Sequence, residues 1–142
     1  MWPFRRKADP GKSGQTQASS ATLGARGEKL AGKFLKRLGY KMLAQNYRCG
    51  AGEIDLIMLD KSTRRTSGAE TIVFVEVKTR SSDRYTDPES AVNADKRRRL
   101  EKAARYYLAA GDTGGFNARF DIVSIVIRPG ARPEVRHIPD AF

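Results

Sequence analysis

The sequence predicts a mixed α/β fold, with a central sheet covered by at least one helix, in the order α-β-β-β-α-β-β. Three observations carry this. Apolar residues recur at helical spacing in two segments, about 21–38 and 88–110. Between them lie two short strand-like runs, Gly52-Glu53-Ile54-Asp55-Leu56-Ile57 and Ile72-Val73-Phe74-Val75-Glu76-Val77-Lys78. Further apolar, β-branched runs follow the second helical segment. At 142 residues the chain has the size of one domain with a modest core.

The elements follow in order. Residues 1–20, MWPFRRKADPGKSGQTQASS, are polar and rich in Ser, Gln, Gly and Lys. They read as a disordered basic arm ahead of a single domain over residues 21–142. The arm has no apolar core of the length a secretory signal needs. No apolar run approaches the ~18–20 residues that span a bilayer. The expected location is therefore cytoplasmic.

The first helix runs from about Ala21 to Leu38. Leu23, Leu30, Ala31, Phe34, Leu35 and Leu38 form its apolar stripe, and Gly39 stops it. Lys29, Lys33 and Lys36 fall on the other side. Glu28 sits on or beside the stripe. It reads either as a boundary glutamate paired with a lysine or as a third carboxylate aimed at the sheet.

Lys41 to Tyr47 forms the first strand. Glu53–Met58 and Thr71–Thr79 form a hairpin across a polar, turn-rich connector. Asp87-Pro88-Glu89 reads as N-cap, first-turn proline and first-turn acid of the second helix, which spans Pro88 to Ala110. Val92, Leu100, Ala103, Ala104, Tyr107 and Leu108 form its inner face, and Gly111 ends it. Arg119 to Ile127 is a fourth strand and Glu134 to Ile138 a fifth.

Side chains alternate between the two faces of a strand. Glu53 and Asp55 therefore share one face of the first hairpin strand, and Glu76 and Lys78 share one face of the second. Val73, Val75 and Val77 take the opposite face. Charged groups in such apolar strands are costly to desolvate unless they pair or bind a metal. If Asp55 faces Glu76, the hairpin centre falls between Arg65 and Thr66, near the middle of the connector. Opposed residues then lie roughly 4.5–5.5 Å apart. Two carboxylates at that separation repel unless a cation lies between them. An all-oxygen site suits Mg²⁺ or Mn²⁺. Lys78 on the same face can orient an attacking water.

Composition narrows the partner. Lys and Arg total 27 against 16 acids, for a net charge of +11. Arg5, Arg6, Lys7 and Lys12 against Asp9 give the arm +3, so +8 falls on the domain. Basicity of this degree points to a polyanion, with nucleic acid first. The run Lys96-Arg97-Arg98-Arg99 is either a solvated helix face or a phosphate grip. Cys49 is the one cysteine, so no disulfide framework or zinc knuckle can form. His137 is the one histidine and reads as a surface residue. No nucleophile elbow and no Gly-rich phosphate loop occurs.

The words GEIDLI, FVEVKTR and RFDIVSI resemble the YraN-like family of bacterial predicted endonucleases. Asp55 followed by Glu76-Val77-Lys78 is similar to the PD-(D/E)xK nuclease signature. The resemblance covers about Ala21 to Ile127. One departure stands: Ile54 precedes Asp55 where the superfamily pattern has proline. The family is regarded as distantly similar to archaeal Holliday-junction resolvases. The resemblance implies a restriction-endonuclease-like mixed sheet flanked by helices. It also implies Mg²⁺-dependent hydrolysis of phosphodiester bonds in nucleic acid, DNA first and branched DNA included. By the same resemblance Asp55 bridges the metal, Glu76 is a second ligand and Lys78 is the catalytic lysine. Glu28 corresponds to a helical acid that joins the ligands, Glu53 supports the site and Lys96 contacts the scissile phosphate. A homodimer is implied by analogy to the resolvases.

A second function stays open from the sequence, that of a nucleic-acid-binding protein without catalysis, acting with DNA-processing or ribosomal partners. The set Asp55, Glu76 and Lys78 separates the two, because a pure binder does not need it.

Overall fold

The computed structural model describes residues 18–81 and 92–142, with the backbone alone for residues 18–21. Residues 1–17 of the expected arm and the expected Asp87-Pro88-Glu89 helix start lie outside the described residues. The elements are α1 (Ala18–Arg37), β1 (Lys41–Cys49), β2 (Gly52–Asp60), α2 (Arg64–Ser67), β3 (Thr71–Arg80), α3 (Ala94–Ala110), β4 (Asn117–Val126) and β5 (Glu134–Ile138). The strands form one sheet in the order β1-β2-β3-β4-β5. Every neighbouring pair is antiparallel except β3 and β4. A parallel pair needs a crossover, and α3 lies within it.

Alternation along the strands gives the sheet two apolar faces. Leu56, Met58, Val73, Val75, Val123 and Ile125 pack with Ala31 and Leu35 of α1. Ile57, Leu59, Ile72, Phe74 and Ile122 pack with Leu100, Ala103, Ala104 and Tyr107 of α3. One helix thus covers each face, consistent with a restriction-endonuclease-like fold. The inner residues of both helices are largely those that the helical spacing selects. Leu38 is the exception. It lies past the last helical residue and is 53% exposed.

Two helix starts differ from expectation. α1 begins at Ala18, so the last three residues of the expected arm are helical. α3 begins at Ala94 instead of Pro88. Asn93 is its cap, with extended backbone, and its side chain accepts a hydrogen bond from the Lys96 N–H at 2.9 Å. That bond satisfies a backbone donor that the first turn cannot. Val92 stays buried just ahead of the helix. The end of α1 follows the expected glycine stop. Gly39 adopts φ 94°. The Tyr40 N–H donates to Leu35 O and the Gly39 N–H to Lys36 O, both at 3.0 Å. This is a Schellman closure.

The connector of the hairpin contains one helical turn, α2, that its polar composition did not single out. The Thr63 hydroxyl holds it down, 2.8 Å from both Ala69 O and Thr71 Oγ1.

A charged network closes the same end of the sheet. Arg119 donates through Nε and Nη2 to the two carboxylate oxygens of Asp121, at 2.8 and 3.0 Å. Its Nη1 lies 3.2 Å from Asp60 Oδ2, and its Nη2 donates to Tyr40 Oη at 2.8 Å. His137 Nε2 lies 2.7 Å from Asp121 Oδ2. The expectation of a surface histidine is therefore corrected. His137 has an 11% exposed side chain, wedged edge-on against the rings of Phe34 and Tyr40. Asp121 is fully buried and its carboxyl is held below the ordinary range. Burial alone would raise it, but His137 and Arg119 outweigh burial.

Candidate active site

The β2–β3 ladder pairs Leu56 with Val75 and Ile57 with Phe74. The paired residues end there; continued by one step, the same register would set Asp55 against Glu76, with the hairpin centre between Arg65 and Thr66. Asp55 Oδ2 accepts the backbone N–H of Val77 at 2.8 Å. The carboxylate thus takes a β3 donor just beyond the last paired residues of the ladder. Its position is fixed by backbone, not by a flexible partner.

Glu76 is buried, with 6% exposure. Its Oε1 lies 3.2 Å from the Lys78 ammonium and also pairs with Lys96. Lys78 comes from the same strand and the same face. Lys96 comes from the first turn of α3, where the Asn93 cap fixes the backbone. Three elements therefore meet at one end of the sheet.

The electrostatics show the crowding. Burial, and then the charge of Glu76, push the Asp55 carboxyl up to about 7. The Glu28 carboxyl is also raised, first by burial and then by Glu76 and Glu53, against a hydrogen bond from Asn46. Glu28 on α1 thus lies within the field of the pair. Burial lowers the Lys78 ammonium, and the neighbouring Lys96 lowers it further. For Lys96 burial acts downward, but contacts with Glu76 and Lys78 outweigh it and the group is raised.

Among the described residues, no three Asp, Glu, His or Cys side chains are gathered closely enough to hold a metal ion. Asp55 and Glu76 come together as a pair, and Glu28 stands further off. Glu53 is exposed and paired with Arg48 across β1 and β2 at 3.1 Å.

The basic run divides. Lys96 belongs to the site. Arg97 is committed inward: its Nε donates to Val92 O at 3.1 Å and its guanidinium lies 5.1 Å from the Phe142 ring centre. Arg98 pairs with Asp95 one turn before it. Arg99 is exposed. The four residues expected to grip phosphate thus stand in different surroundings. Successive residues on a helix step about 100° around its axis, so four in a row cannot share a face.

Comparison with known proteins agrees with the family suggested by the three sequence words. Residues 27–125 match the family described as "Uncharacterised protein family UPF0102". The chain is 45% identical over 120 residues to a UPF0102 protein of Syntrophus aciditrophicus, covering 84% of this chain and 87% of that one. It is 45% identical over 121 residues to a UPF0102 protein of Geobacter metallireducens, covering 85% and 92%. A UPF0102 protein of Nocardia farcinica is 42% identical over 120 residues, 84% and 88% of the two chains. The chain belongs to the UPF0102 family, the YraN-like proteins.

Proposed function

We propose that the chain is a divalent-metal-dependent endonuclease that hydrolyses phosphodiester bonds in nucleic acid, DNA first. The observation that carries this reading is the meeting of Asp55, Glu76 and Lys78 at one end of β2 and β3, with the Asp55 carboxyl pushed up to about 7. A strained pair of acids beside a lysine is common at reacting centres and rarer in packing. The donors are all oxygen, and the crowding of two carboxylates is relieved by a hard cation such as Mg²⁺ or Mn²⁺. Asp55 and Glu76 would hold it, with Glu28 the nearest further acid. Such an ion, when bound, polarises a phosphoryl oxygen and lowers the pKa of its water.

The chain's own groups supply the rest. The Val77 N–H fixes Asp55 so that the acid need not be reoriented. The Lys78 ammonium orients the attacking water and offsets charge that develops on the phosphate. Lys96 brings a second ammonium to the same spot from α3. The net charge of +11 draws the polyanion in without reading its sequence.

One observation favours a second reading. Glu76 Oε1 already has two lysine partners, so this acid is charge-compensated without an added ion. A non-catalytic nucleic-acid-binding protein would be built this way. The deciding experiment is a cleavage assay with Mg²⁺, Mn²⁺ or EDTA across duplex, single-stranded, flap and four-way-junction DNA, with Glu76→Gln as control. Metal-dependent cutting lost in Glu76→Gln supports the nuclease. Tight binding with no cutting of any substrate supports the binder.

A further inference from the structure

α1 crosses one face of the sheet and leaves a cleft along the edge strand β1. The cleft holds about 450 Å³. Lys29, Lys33 and Lys36 line its helix side, and Gln45 and Asn46 line its strand side. Glu28 closes the cleft at the end next to the candidate active site, and its carboxyl feels the charges of Glu76 and Glu53. The three lysines are exposed, and none pairs with a carboxylate among the described residues. They sit four and three residues apart, so their origins rise by about 6 and 4.5 Å along the helix. Three ammonium groups in a row, facing two side-chain amides across a trough, form a receptor for a linear polyanion. Its volume falls in the range of small-ligand clefts, which suits a few nucleotides of a single strand. No aromatic ring lines it, so a strand held there is gripped by its phosphates and not by base stacking.

From this the geometry points to a single-strand channel: one strand of nucleic acid lies between α1 and β1, its phosphates on Lys29, Lys33 and Lys36, and enters or leaves the carboxylate end at Glu28. The channel rests on the nucleic-acid partner of the proposed function and not on its cleavage step. Gln45 and Asn46 offer donors and acceptors to sugars or base edges passing over them.

The test is binding, measured in EDTA so that no cutting intervenes. A short fluorescein-labelled single-stranded DNA is titrated by fluorescence anisotropy over a range of salt. Lys29→Ala/Lys33→Ala/Lys36→Ala should weaken binding and flatten the slope of log affinity against log salt by about 2, three phosphates at roughly 0.7 each. Lys29→Arg/Lys33→Arg/Lys36→Arg should keep the wild-type slope. Lys61→Ala/Arg64→Ala/Arg65→Ala removes the same charge from the exposed connector at the far end of the hairpin and should also keep it. Circular dichroism of each variant reports whether the fold is intact. The channel is overturned if the α1 triple variant keeps the wild-type slope. It is equally overturned if the connector variant loses as much, or if only duplex binding suffers. Cutting assays on the same proteins keep the two ideas apart. A wild type that binds through the α1 lysines but never cuts retains the channel and loses the nuclease. A wild type that cuts with an unaltered slope in the α1 variant does the reverse.

Discussion

Gly27 of α1 and Thr79 of β3 touch so closely that a Cβ on Gly27 would fall 1.8 Å from Thr79 Oγ1. The Thr79 Cβ and Cγ2 would both lie at 2.8 Å, so no turn of the threonine side chain clears the space. The contact is what lets α1 lie down on the strand that carries Glu76 and Lys78, with Glu28 the next residue along.

Gly27→Ala should therefore destabilise the chain, although alanine is the better helix former by about 1 kcal/mol. Overpacking costs about 1–3 kcal/mol and outweighs that gain. Gly24→Ala on the same helix meets nothing within 4 Å. It should stabilise by about 0.5–1 kcal/mol. Urea midpoints of the two variants moving in the same direction would contradict this. Adding Thr79→Gly to Gly27→Ala should recover part of the loss.

The Arg119 network sets a pH dependence. The carboxyls of Asp121 and Asp60 are both held below the ordinary range in the folded chain. An acid lowered by folding contributes stability above its unfolded pKa of about 3.9, and the contribution is lost as pH falls through the folded value. Stability should thus decline below about pH 4. Arg119→Leu removes one partner from a buried cluster and should cost about 3–5 kcal/mol at neutral pH. Its acid decline should be shallower, because Asp60 keeps Ser62 and Asp121 keeps His137 but both lose the cation that adds to those bonds. Chemical denaturation at several pH values reads both effects. A variant whose curve runs parallel to wild type would show that Arg119 does not set these two acids.

Much of this arrangement is legible in the sequence, and the limits have physical causes. Strand alternation identifies the shared face of Glu76 and Lys78, because side chains two residues apart on a strand point the same way. The polar connector sets the hairpin centre, and so the antiparallel β2–β3 register that pairs Leu56 with Val75. Helical spacing likewise selects Leu100, Ala103, Ala104 and Tyr107. The fate of Arg97 is not legible, since it depends on Phe142, distant in the chain. His137 is hidden for the same reason: its partner Asp121 comes from the neighbouring strand. One signal was available there. Arg119 and Asp121 share the strand face that continues through Val123 and Ile125, which marks two charges entering an apolar side and needing partners. The start of α3 is missed because capping is a competition. Asp87 and Asn93 both have the right chemistry, and burial of Val92 ahead of the helix agrees with the second.

Metal binding should depend on Asp55. Isothermal titration of the wild type with Mn²⁺ should give a binding signal that Asp55→Ala lacks. The same ion should stabilise the wild type against urea by about 2.7 kcal/mol at a free concentration a hundredfold above its dissociation constant, and leave the stability of the variant unchanged. Equal affinity in both proteins would move the ion elsewhere.

Lys78→Ala separates an enzyme from a binder most cleanly. It removes one of 27 basic residues, so affinity for nucleic acid should fall only slightly. An ammonium is no ligand for Mg²⁺, so metal binding should survive. Its loss also frees Glu76 of only one of two lysine partners, since Lys96 remains. Cleavage should nevertheless drop by roughly 10²–10³-fold, the cost of one preorganised contact to charge developing in the transition state. Lys78→Arg keeps the charge but changes the reach and the donor geometry, and should recover little. Single-turnover cleavage under saturating DNA isolates this step from binding. If the wild type cuts and Lys78→Ala cuts at the same rate, the lysine is a structural partner of Glu76 and the assigned role is wrong.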